Sequence, residues 1–188
     1  MGENNIRALK IGTRLKFKGF EWVVLDNGID TCDGVMILMT SVWNNRLYQF
    51  NDVHRNNYGI ASLREKLSRE LLPILGSENL LFYAVDLVDY ATNGYYQIVY
   101  DKVFILSYGE YQKYKKNIPK FPTQTWTRTP WLTSRRDSSV CTIGEDRTEV
   151  RSDSWVTAGV VPACVLDLRK IKVNYQIPEI MEITNCLE

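Results

Sequence analysis

Apolar and polar positions alternate at Leu15, Phe17 and Gly19, and the run Phe20-Glu21-Trp22-Val23-Val24-Leu25 continues the pattern. A period of two residues is that of a half-buried strand. Asp26-Asn27-Gly28 is a strong turn signal, and the apolar stretch 35–40 beyond it reads as a buried strand. These segments predict a hairpin or meander. The period then changes. Leu63, Leu67, Leu71 and Leu75 recur every fourth residue and predict a helix over 63–75 with one apolar stripe. Ser62 stands at the N-cap position with Glu65 three residues on, which is the sequence of a capping box. Glu65–Arg69 and Lys66–Glu70 are i,i+4 pairs on the wet side, and Pro73 and Gly76 end the helix. Packing against the protein's own sheet is the expected use of the leucine stripe.

An Asn-rich connection (Asn44, Asn45, Asn51, Asn56, Asn57) precedes that helix. After it, strands are expected over 80–88 and 98–100, flanking Thr92-Asn93-Gly94, and over 102–106. Ser107 and Glu110 form a second capping box, opening a short helix that runs through Lys116. From Asn117 the chain becomes loop-rich and aromatic, with Pro119, Pro122 and Pro130. Short strands are expected at 140–143, 148–150, 155–157 and 160–168. Two helices followed by many short strands predict an α+β domain with an antiparallel sheet.

The chain has 188 residues, a length that fits one domain. With 23 basic and 22 acidic residues the formal charge is +1, so no global basic field exists for nucleic acid and binding there would need a local patch. The first residues carry no charged-then-apolar leader, and the apolar run Val35-Met36-Ile37-Leu38-Met39 is too short to span a bilayer. A soluble, cytoplasmic protein without a membrane partner is the expectation. Cys32, Cys141, Cys164 and Cys186 are scattered, and His54 has no Cys or His at ligand spacing, so no metal and no other cofactor is expected.

Five motifs in order carry a family resemblance. They are Gly19-Phe20-Glu21-Trp22-Val23-Val24-Leu25, Ser62-Leu63-Arg64-Glu65-Lys66-Leu67, Asp101-Lys102-Val103-Phe104-Ile105-Leu106-Ser107, Trp126-Thr127-Arg128-Thr129-Pro130 and Gly159-Val160-Val161-Pro162-Ala163. Together, over residues 12–168, they resemble the DUF6273 family of bacterial and phage domains. That resemblance implies a C-type-lectin-like fold, with a twisted antiparallel sheet, two helices and long irregular loops. The chain is read as one domain over 1–168, and the tail 169–188 lies beyond the match as an extension in which Ile171 and Val173 alternate as a further strand. The chain departs from the family pattern at Thr127, Thr129 and Val161. Where relatives carry an arginine at the position of Val161, Arg128 is the candidate to brace the loops instead.

The segment 126–155 is the most suggestive surface. It gathers Arg128, Trp131, Arg135, Arg136, Arg147, Arg151 and Trp155, while Trp126 is assigned to the core. Tryptophan buries large area and arginine makes forked hydrogen bonds, so the two dominate interface hot spots. The expected function is a non-catalytic binding module that meets a protein partner, or a small ligand, through these residues. A phage-encoded inhibitor of a host defence enzyme is one form of it. Two alternatives stand beside this reading. Cys141 and Cys164 suggest a copper- or thiol-dependent oxidase by fold analogy with the formylglycine-generating enzymes. Lys113, Lys115, Lys116 and Lys120, interleaved with Tyr111, Tyr114 and Phe121, suggest a nucleic-acid binder. Asp86, Asp89 and Asp101 have no calcium-loop spacing, and His54 reads as a surface-loop histidine.

Overall fold

The computed structural model describes residues 9–29, 33–88, 95–133, 136–174 and 181–185. Strands β1 (Arg14–Phe17) and β2 (Phe20–Ile29) pair with Phe17 opposite Phe20. The two-residue connection Lys18-Gly19 has positive φ at both positions (51° and 80°), the geometry that matches strand twist in a tight hairpin. Gly19 is therefore the turn and not a strand residue. Asp26-Asn27-Gly28 does not reverse the chain: β2 runs on to Ile29, with register shifts against β3 (Gly34–Met39) around Asp26. The Asp26 carboxylate accepts the Gly28 N–H at 3.1 Å, so the turn chemistry is spent on a bulge within the strand.

Every residue of β3 is buried, and so is every residue of β13 (Pro162–Asp167), which pairs antiparallel with it. The other edge of β13 is shared by β8 (Val103–Ile105) and β5 (Leu80–Leu81). At the far side, β15 (Met181–Asn185) pairs parallel with β1 and antiparallel with β14 (Ile171–Asn174). The result is an eight-stranded sheet in which late segments of the chain flank early ones.

A second, five-stranded sheet has the order β11-β10-β9-β12-β4, comprising β4 (Leu47–Gln49), β9 (Thr125–Thr133), β10 (Arg136–Ile143), β11 (Glu149–Asp153) and β12 (Thr157–Gly159). A ribbon of β6 (Tyr83–Val88) and β7 (Tyr95–Asp101) completes the strands. The segment 126–155, expected as loop-rich with short strands at 140–143, 148–150 and 155, is thus largely strand, with β9 the strand that was not expected. Residues 125–130 are all buried, so β9 is covered on both faces and shows no alternation. Pro130 sits beside a register shift against β10, where a missing N–H is tolerated. The expected strand at 155–157 lies two residues later, at β12.

The main helix begins at α1 (Ser62–Lys66), passes through a π turn at Leu67–Leu71 and ends in α2 (Leu72–Leu75). Pro73 has no N–H for a regular helical bond and its ring crowds the preceding turn, which accounts for the wider winding before it. All four stripe leucines are buried in the common core. The first capping box does not form. Ala61 is the N-cap, and the Ser62 hydroxyl instead accepts the Asp52 N–H at 3.0 Å. The second box forms fully at α3 (Tyr108–Tyr114): Glu110 N–H donates to Ser107 Oγ (3.1 Å) and Ser107 N–H to Glu110 Oε2 (2.8 Å). The helix stops before Lys116. Among the described residues no helix is long and apolar enough to cross a membrane. Thr92-Asn93-Gly94, Asp89, Cys32 and Cys186 lie outside the described residues.

Candidate partner-binding face

The arginines grouped by the sequence reading have separate fates. Arg128 is 0% exposed. Its guanidinium donates to Asp86 Oδ1 at 2.8 Å, to the Asp86 carbonyl at 3.0 Å and to the Ile105 carbonyl at 2.9 Å. It also forks onto the Glu110 carboxylate, reaching Oε1 at 2.9 Å and Oε2 more closely. Tyr83 adds its hydroxyl to the same carboxylate at 3.0 Å. Burial alone would raise the Glu110 carboxyl, yet the Arg128 charge and its hydrogen bonds hold it below the ordinary carboxylate value. Arg128 therefore ties β9 to β6, β8 and α3 from inside and cannot meet a partner; the expectation of a surface contact is corrected, while its role as a brace matches the geometry. Arg147, at φ 69°, is likewise turned inward. It donates to the Ile118 carbonyl at 3.2 Å, to the Lys115 carbonyl and to the Tyr111 hydroxyl, closing the C-terminal end of α3.

The remaining members converge. Trp131, Ser139 and Asp153 lie opposite one another across β9, β10 and β11, on one face of the sheet. The Ser139 hydroxyl donates to Asp153 Oδ1 at 3.1 Å and accepts from Arg151 Nε at 3.0 Å, which fixes the exposed Arg151 on that face. Arg136 pairs in register with Thr133 at the nearby end of the β9–β10 hairpin. Arg135 lies outside the described residues. Trp155 follows β11 directly and packs its ring on His54 at 5.2 Å between centroids. Trp131 and Trp155 are half-buried, whereas Trp22, Trp43 and Trp126 are buried in the core.

His54 belongs to the Asn-rich loop, which sequence reasoning left aside. The loop is pinned against the end of the sheet by Asn56 Nδ2, which donates to the Ser139 carbonyl at 3.1 Å, and by the Phe50 and Asn51 N–H groups on the Ser154 carbonyl. The Asn51 carboxamide oxygen accepts the Val53 N–H at 3.2 Å and shapes the turn that carries His54 at φ 58°. His54 thereby meets Trp155, with exposed Val53 and Arg55 on either side of it in the chain and exposed Val156 next to Trp155. Below them, Asn51 Nδ2 and Ser154 Oγ are buried without a hydrogen-bond partner. The missed signal was the density of asparagines, which marks a loop built by its own side chains.

The residues of the other candidate chemistries have their own places in the fold. Cys141 sits in β10 and Cys164 in β13, in different sheets, and both are buried. Burial, with Glu149 nearby, pushes the Cys141 thiol up to about 12, and burial raises Cys164 as well. Protonated, separated thiols are poor nucleophiles and poor copper ligands. Among the described residues no three His, Cys, Asp or Glu side chains come together to hold a metal. In the lysine run, Tyr111 and Tyr114 are buried, Lys113 bonds Asp26 at 3.1 Å and Lys115 the Arg147 carbonyl at 3.1 Å. Those two rings do not stand out for base stacking. Asp86 serves Arg128, and Asp101 takes Arg64 in a forked pair at 2.7–3.0 Å. Comparison with protein-family models, with curated proteins and with solved structures finds no match to this chain.

Proposed function

We propose that this protein is a non-catalytic binding module that recognises a protein partner through Trp131, Arg151, Trp155, His54 and Arg55. The observation that carries this reading is the partition of the tryptophans. Three are sealed in the core, and the two left half-exposed lie at the same end of the five-stranded sheet, beside an arginine anchored by a buried serine. Large rings held rigidly near a positioned guanidinium are the anatomy of an interface hot spot. In the same reading the chain is a DUF6273-like domain with a C-type-lectin-like scaffold. The pairing of β3 with β13, which brings the early and late motifs into one sheet, supports that assignment.

Affinity capture from bacterial lysate tests the function, using the protein and its Trp155→Ala and Arg151→Glu variants. A specific protein retained by the parent and lost from both variants, at unchanged melting temperature, is the expected result. Retention of nothing at any salt concentration, or equal retention by the variants, overturns the reading.

A further inference from the structure

A second feature lies on the β4 edge of the same sheet, where it adjoins the tryptophan face: Gln49 Nε2 donates to the Trp155 carbonyl at 2.8 Å. β4 is an outermost strand, so one edge pairs with β12 and the other has no strand beside it among the described residues. Which backbone groups face outward follows from the neighbouring bonds. Gly159 N–H turns toward the Gln124 carbonyl on the β9 side, while the Val160 carbonyl accepts the Trp43 N–H on the β4 side. Successive residues of a strand point their amides to opposite sides, so Ala158 faces Tyr48, and Leu47 and Gln49 direct their N–H and C=O groups away from β12. The Phe50 N–H, bonded to Ser154 on the β12 side at 3.0 Å, fits the same alternation.

Those outward groups meet a groove of about 420 Å³. Leu47, Tyr48 and Gln49 form one wall, and Ser62, Lys66 and Arg69 of the main helix form the other. Leu47 is 50% exposed and supplies an apolar contact. The groove is neutral in sum, because Asp52 and Glu65 line it together with Lys66 and Arg69. Lys66 pairs with Glu70 at 2.9 Å, and Arg69 lies 3.5 Å from Glu65 and 3.4 Å from Glu70. Its charges are matched internally, so the complementary ligand is an uncharged one whose main chain, not a phosphate or carboxylate, makes the polar contacts.

We infer that this groove binds an extended, uncharged peptide segment of a partner, which adds to β4 as a further strand. Main-chain bonds to Leu47 and Gln49 supply the affinity, and every second side chain of the peptide meets Leu47 or the helix. The groove and the tryptophan face meet at Gln49 and the Trp155 backbone, but the outward main-chain groups of β4 are not part of that contact.

Selection from a displayed library of random linear peptides provides the test. The expected outcome is enrichment of uncharged sequences with alternating apolar residues. A synthetic copy then slows hydrogen exchange at the Leu47 and Gln49 amides. Leu47→Pro removes one groove-facing N–H and leaves the β12 pairing intact; Arg46 before it is already extended (φ −124°, ψ 155°), as a residue preceding proline requires. This variant binds the peptide about tenfold more weakly at unchanged melting temperature. Trp155→Ala leaves peptide binding intact, which separates this site from the proposed partner face. Failure of any sequence to enrich overturns the inference, as does protection confined to amides other than Leu47 and Gln49. If Leu47→Pro does not fold, the exchange measurement on the parent protein alone decides.

Discussion

Arg128 carries its charge into the interior between Glu110 and Asp86, and the Glu110 carboxylate is nearly as enclosed. Removing one partner of a buried pair strands the other, so Arg128→Met is expected to destabilise the fold by about 3–5 kcal/mol, measured as a fall in the urea midpoint. The same pair sets a pH dependence. Glu110 titrates below its ordinary value in the folded protein, so its contribution is complete above the unfolded carboxylate range of about 4.3 and is lost as pH falls through the lower folded value. Glu110→Gln should therefore lower stability at neutral pH and flatten the acid limb of a plot of urea midpoint against pH. Some slope will remain, because Asp26 and Asp167 are also held below their ordinary values. None of this was legible locally. Asp86 and Glu110 reach Arg128 from separate segments, and an arginine flanked by threonines in a proline-ended motif reads as exposed.

Elements were legible where one interaction dominates. The leucine stripe located the main helix, and the Ser107–Glu110 box located α3, because each depends on residues a few positions apart. Ser62 and Glu65 have the same spacing and make no box, since a loop amide from Asp52 claims the serine first. Thermal denaturation should register the difference. Ser107→Ala loses about 1 kcal/mol as a true cap, while Ser62→Ala loses less, with only an exposed-loop bond at stake. β9 failed the opposite way. Its threonines and arginine are buried by contacts from both sides, so polarity along the strand records hydrogen-bonding needs and not a solvent face. The face proposed for a partner was legible in part: Trp131, Arg151 and Trp155 do sit at one end of a sheet, but the loop carrying His54 and Arg55 joins them from far upstream.

Across the whole molecule, cohesion is unequal. β2, β3 and β13 are central and largely buried, whereas the β6–β7 ribbon exposes Ile98 and Tyr100 on its outer face. Native-state hydrogen exchange should rank their amides accordingly, slowest in β3 and β13 and fastest in β7. Uniform protection across the three sheets would contradict that ranking.

The place of β13 in the chain has a consequence for biosynthesis. It is the common neighbour of β3, β5 and β8, yet it is translated about 130 residues after β3, a delay on the order of ten seconds at usual elongation rates. Until then β3 has only β2 beside it, and its β13 edge stays unpaired. Closure of the eight-stranded sheet is therefore expected only once β13 has been made.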